Sequence, residues 1–291
     1  MKVDKFRTVI IYIIIILLGL VCLLPLLNIV AISFSSSAAV EGNMVGLIPV
    51  GFSTAAYEKI LEDSQFWHSF LISVERVVLT LIINFVLIVL MAYPLSKTNA
   101  QFRGRNIYAN LMIFAMLFNG GMIPTFLLVK SYGLLNTVWA LVLPGAVPIF
   151  NVILVMNFFA AVPKELEEAA FIDGANPLQV LTKIFIPISK PVLATVSLFS
   201  IVGSWNDFYS GLIYMSKATY YPLMTYIQSL QINVEDLIKQ GNLSAVVDSA
   251  SLGNTNLNAA KIVVAVIPLL LIYPLLQRYF VSGIVVGSVK G

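Results

Sequence analysis

Six apolar stretches, each about as long as a bilayer is thick, govern what this chain can fold into. They run over residues 9–32, 69–95, 107–129, 138–159, 192–214 and 262–280. About twenty such residues carry a helix across the hydrocarbon layer. A helix also satisfies every backbone N–H and C=O within the segment, which lipid cannot do. The predicted fold class is therefore an all-α polytopic membrane protein with six transmembrane helices. Composition agrees, at 59% hydrophobic and 11% charged residues with mean hydropathy +0.94, well outside the soluble range. The first stretch follows Lys2, Lys5 and Arg7 as a signal peptide would. It is much longer than the roughly 7–15 residues of a signal core, so it reads as a retained span.

The remaining composition excludes several classes. A net charge of +3 is too small to point to nucleic acid. The single cysteine, Cys22, lies inside an apolar run and leaves no disulfide framework or thiolate metal site. The single histidine, His68, stands beside Trp67 at a span boundary and reads as interfacial. No internal repeat or low-complexity linker interrupts the chain, so 1–291 reads as one membrane domain. Lysine and arginine set its orientation. With the N-terminus inside, that side holds Lys2, Lys5, Arg7, Lys97, Arg103, Arg105, Lys164, Lys183, Lys190, Arg278 and Lys290. The outer side holds Lys59, Lys130, Lys217 and Lys239. Both termini are thus expected in the cytoplasm, with segments 33–68 and 215–261 outside and 160–191 inside.

The inner segment 160–191 is charged where the rest is apolar. Pro163 is placed to open a short helix with Glu165, Glu167 and Glu168 in its first turns, where the helix dipole favours negative charge. Gly174 is placed to end it in a left-handed cap. Asn176 then caps a second helix with Pro177 at its first position. Two short helices joined at a glycine form a knob suited to a cleft in a partner.

Polar residues inside the spans are costly and tend to face other helices or water. Asn119-Gly120-Gly121, with Pro124 beyond, is a combination that interrupts a helix at mid-depth. Asn84 and Asn151 fall inside the second and fourth spans. These residues either line a path or let helices pack closely. In the fifth span Ser200, Gly203, Ser204, Asp207, Ser210 and Gly211 recur at helical spacing as one polar stripe. Asp207 either faces a path or is capped by a neighbouring span. Glu75 and Arg76, being adjacent, do not face each other on a helix and receive no function.

These residues resemble the permease subunits of binding-protein-dependent ABC importers, on the carbohydrate side. The family's mark is E-A-A, a glycine and I-x-L-P at fixed spacing. It stands here as Glu168-Ala169-Ala170, Gly174, Ile184 and Pro187, with Ile186 in place of leucine. Ser204-Trp205-Asn206-Asp207-Phe208, Gly121-Met122-Ile123-Pro124 and the run from Tyr273 to Phe280 also look like sugar permeases. Phe171 and Met156 depart from basic residues common in this branch.

The resemblance implies a type I importer permease with a cytoplasmic coupling helix, and no catalysis in this chain. Glu165, Glu168, Ala169, Ala170, Asp173, Gly174, Ile184 and Pro187 would engage an ATPase dimer that holds ATP and Mg. Asn119, Gly121, Asn151, Ser204 and Asp207 would border a translocation path shared with a second, homologous permease. A solute-binding protein would deliver a sugar, in the oligosaccharide or polysaccharide-fragment class, against segment 215–261. The expected setting is a bacterial or archaeal cell membrane, with lipid as a partner. The chain has no G-x-x-x-x-G-K-[ST] loop, so ATP hydrolysis falls to the separate subunits. An importer permease for a peptide or other solute, and an ion-coupled secondary transporter built on Asp207, are the competing readings.

Overall fold

The computed structural model describes residues 5–230 and 255–287. Lys2, Lys239, Lys290 and most of the outward segment 215–261 lie outside the described residues. Among those described, the chain runs as α1 (Lys5–Ser33), α2 (Ser37–Glu41), α3 (Ala55–Glu62), α4 (Ser64–Leu95), α5 (Arg105–Leu117), α6 (Met122–Ser131) and α7 (Val138–Val142). It continues as α8 (Ile149–Ala160), α9 (Lys164–Ile172), α10 (Pro177–Val180), α11 (Ile186–Ile188), α12 (Lys190–Asn206) and α13 (Tyr209–Tyr214). A short helix over 223–230 and the closing helix Thr255–Gly287 complete it. Three stretches, Thr8–Ser33, Ser64–Leu95 and Thr255–Leu275, are each long and apolar enough to cross a membrane. Three bent pairs reach that length jointly, giving up to six crossings.

Two of the three bends fall where the sequence supplies a cause; the third, of 84°, lies between the segment Pro177–Ile188 and α12. Gly121 adopts φ +89, in the region that glycine enters most readily, and α5 and α6 meet there at 111°. The Asn119 side chain accepts the Gly121 amide proton at 2.9 Å and so closes the turn. Pro144 and Pro148 flank a 47° bend between the segment Val138–Gly145 and α8, where proline removes ladder donors. The fifth span differs from the continuous polar stripe expected of it. The α12 helix stops at Asn206, Asp207 takes ψ 98, and α13 starts only at Tyr209. The Asp207 carboxylate captures the Ser210 amide at 3.1 Å, a local bond that competes with the helix ladder.

Contacts divide the chain into two units, residues 1–67 with 226–267 and residues 68–225 with 268–291. In the first, α1 is exposed along its apolar length, as a lipid-facing helix is. Its end is tied down by Asn28, which donates to the Gly46 carbonyl at 2.7 Å, and by Ser33, 2.8 Å from the Tyr57 hydroxyl. Asp63 caps the start of α4 through the Phe66 amide at 3.0 Å. It also meets Lys261 at 2.7 Å and accepts from the Tyr226 hydroxyl at 2.9 Å. Burial pushes the Asp63 carboxyl up, but the bonds from Lys261, Phe66 and Tyr226 outweigh it and hold its pKa below the ordinary value. Burial and the neighbouring Asp63 push the Tyr226 phenol up.

The second unit holds the main core. Ile88, Val89, Ala92 and Leu95 on α4 pack with Val152, Val155 and Phe159 on α8 and with Val192, Leu193 and Val196 on α12. Val180, Leu181 and Phe185, from the charged inner segment, belong to the same cluster. That segment is keyed into the spans rather than hung beside them. Arg105 Nε finishes α4 by donating to the Leu95 carbonyl at 2.9 Å.

Candidate functional site

Two sites emerge in the second unit. The first is the knob. The α9 helix begins after Pro163 with Glu165 and Glu167 in its first turn, and Gly174 follows it at φ +80. Asn176 and Gln179 form a reciprocal capping box at the start of α10, with both bonds at 2.9 Å and Pro177 at the first turn. A five-residue wide turn over Leu181–Phe185 then leads through α11 to α12.

Glu165, Glu168, Ala169, Asp173 and Pro187 are exposed, whereas Ala170 and Ile184 lie against the core. The tip is apolar as well as exposed. Ile172 is 86% exposed and Leu178 61%, on a segment whose charges keep it out of lipid. Exposed apolar residues ringed by charge mark a contact surface.

Glu167 points the other way. It is buried at 8% exposure, and its carboxylate meets Lys97 Nζ at 2.8 Å. The Lys97 ammonium lies 4.1 Å from the ring centres of both Tyr93 and Phe185. Burial lowers the Lys97 pKa from its ordinary value, against the opposing pull of the Glu167 bond and charge.

The second site is a cavity of about 210 Å³ bordered by α4, α8 and α12. Arg76, Thr80 and Asn84, one turn apart on α4, line it together with Asn151 of α8 and Ser200 and Ser204 of α12, and Asp207 closes it. Arg76, only 4% exposed, donates through Nη1 to the Asp207 carbonyl at 2.9 Å and through Nη2 to the Asp207 carboxylate. The Ser210 hydroxyl donates to the same carboxylate. Asn84 donates to the Ser200 hydroxyl at 3.2 Å.

Arg76 Nε, Thr80 Oγ1 and Asn84 Oδ1, on three residues that line this cavity, have no hydrogen-bond partner among the described residues. Leu141 also borders a second cavity, of about 230 Å³, lined by His68, Glu75, Asn136 and Tyr220.

Of the residues expected along a path, Asn151, Ser204 and Asp207 thus meet around one cavity. Asn119 and Gly121 lie apart from it, exposed at the break between α5 and α6. Arg76, to which sequence reasoning gave no function, is the ion partner of Asp207, 131 positions away. Its one signal was a charge inside an apolar run.

Residues 2–286 match the family described as binding-protein-dependent transport system inner membrane components. The chain belongs to this family. Protein LplC of Bacillus subtilis (strain 168) is 40% identical over 273 residues, covering 94% of this chain and 91% of the relative. The polygalacturonan/rhamnogalacturonan transport system permease protein YtcP of the same organism is 39% identical over 288 residues, covering 99% of each. Among solved structures, a chain of a bacterial ABC transporter involved in the import of the acidic polysaccharide alginate superposes with TM-score 0.84 at 32% identity. That match covers 96% of this chain and 98% of the other. The permease is therefore a membrane-spanning subunit of an ABC importer, not an enzyme, and works with a solute-binding protein and an ATPase.

Proposed function

We propose that this permease forms half of the path for an oligosaccharide or polysaccharide fragment, and that a second permease of the same family forms the other half. The path passes Asn151, Ser204 and Asp207 at mid-depth, with Asn119 and Gly121 at the break between α5 and α6. The knob built from α9, Gly174 and α10 docks on the ATPase, which binds the ATP and Mg. Both termini then lie in the cytoplasm, and segment 215–261 meets the binding protein. The observation that carries this reading is the core shared by the knob and the spans, in which Val180, Leu181 and Phe185 pack with α4, α8 and α12. A push on the knob is thereby a push on the helices that surround the polar cavity.

The saccharide class rests on a relative named for polygalacturonan and rhamnogalacturonan transport and on a solved relative involved in alginate import. The ion-coupled alternative needs a titrating acid inside the membrane. Asp207 is engaged by Arg76 and Ser210, which speaks against it. Reconstitution of the permease in vesicles with its second permease, ATPase and binding protein tests the reading. Tritiated oligogalacturonide should accumulate with ATP, and accumulation should vanish when this chain is omitted. Uptake that proceeds without ATP, or that follows an ion gradient, would remove the proposal.

A further inference from the structure

Lys97 occupies a position that neither a path nor a docking surface requires. It stands two residues past the end of α4, where its amide still donates to the Pro94 carbonyl at 3.2 Å. Its side chain is 11% exposed and that of Glu167 is 10% exposed, so the pair is largely shielded from solvent. Three elements meet there. Tyr93 and Lys97 come from the end of α4, Glu167 from α9, and Phe185 from the wide turn before α11. The Tyr93 hydroxyl also donates to Glu167 at 3.4 Å, and the Tyr93 and Phe185 rings pack edge to face with centres 5.1 Å apart. A cation held between two ring faces and bonded to a carboxylate has its position fixed from three sides.

We infer that Lys97 and Glu167 clamp the knob to α4, so that α9 and α4 move as one body when the ATPase closes. Four observations carry this. The pair is shielded and fully engaged, whereas Glu165 and Glu168 on the same helix are exposed. The knob meets α4 through the apolar cluster around Val180 and Phe185 and through this ion pair. The apolar part of that contact is close-packed but non-directional, while the charge pair adds directional bonds that fix register. Finally, the same α4 helix carries Arg76, Thr80 and Asn84 into the cavity. From Leu95 to Arg76 the helix spans about 30 Å at 1.5 Å per residue, one continuous helix from knob to path. Lys97 and Glu167 are positioning residues; they touch neither solute nor nucleotide.

This inference rests on the docking of the knob to the ATPase, and the test separates the two. Cys22 is replaced by Ser in the full complex, and spin labels are placed at exposed Leu90 on α4 and exposed Lys164 on α9. The distance between them should be the same in the nucleotide-free and ATP-trapped states. In Lys97→Glu the distribution should broaden and shift between states. Binding-protein-stimulated ATP hydrolysis should fall about tenfold or more, as expected when like charges replace a shielded ion pair. The exchange Lys97→Glu with Glu167→Lys should restore the narrow distribution and much of the activity, which loss of packing alone would not allow. Because Lys97→Glu can impair folding, Lys97→Met, which keeps the stem between the rings, is measured beside it. It should fold, retain the ATPase and still broaden the distribution.

A wild-type distance that changes with nucleotide would overturn the clamp, as would a distribution left narrow by both single variants. A cysteine at Ile172 that fails to cross-link to the ATPase would instead remove the docking reading and the clamp with it.

Discussion

Arg76→Met is expected to prevent accumulation of a folded complex. The substitution leaves the Asp207 carboxylate with Ser210 alone. Breaking one side of a buried pair costs about 3–5 kcal/mol, against a total stability of about 5–15 kcal/mol. Arg76 also bridges to the Leu141 carbonyl at 3.4 Å, so α4, the fourth span and the break after α12 lose a common tie. Adding Asp207→Asn should recover much of the yield. The amide oxygen still accepts from Ser210, and no lone charge remains. Size-exclusion profiles and melting temperatures of the solubilised complex check this. A double variant no better than Arg76→Met would assign the cost to lost packing rather than to the stranded charge.

Glu168→Lys is expected to leave the permease folded and abolish ATP-driven uptake. The residue is exposed and bonds to nothing within the described chain, so its loss disturbs no core. A charge-assisted bond to a basic group on the ATPase is worth about 1.5–3 kcal/mol, roughly 10- to 100-fold in affinity, and reversal adds repulsion. Gly174 acts through the backbone instead. No neighbour lies within 4 Å of where its β-carbon would stand, so a substitution there clashes with nothing. The cost is the left-handed conformation, about 1–2 kcal/mol for most side chains and less for Asp or Asn. Gly174→Val should therefore impair uptake more than Gly174→Asp. Co-purification of the ATPase and uptake per complex measure both. Glu168→Lys complexes that transport normally with the ATPase bound would refute the docking role.

Much of this architecture could be read from the chain because it follows local rules. Apolar length marked the chain as helical and membrane-spanning, and Pro163, Gly174, Asn176 and Pro177 marked the knob through caps whose geometry depends on a few neighbouring residues. Asn119-Gly120-Gly121 announced a break for the same reason. What escaped depended on distant partners. Arg76 with Asp207 and Lys97 with Glu167 are separated by 131 and 70 positions, and no periodicity links them. The stripe over 200–211 reads as one helix because its spacing is helical. Asp207 broke it by bonding to Ser210, a choice stabilised by a guanidinium that only the fold brings there.

The central claim, that nucleotide at the ATPase moves the knob and thereby opens the polar cavity, is tested most directly at Ser204. In a complex with Cys22 replaced by Ser, Ser204→Cys is exposed to a small water-soluble thiol reagent from outside, with and without trapped ATP. Labelling should be slow without nucleotide, rise at least about tenfold in the trapped state, the effect of a shift of about 1.4 kcal/mol, and stay slow when Glu168→Lys is added. Labelling that is equally fast in both states, or that rises equally in the Glu168→Lys background, would contradict the account.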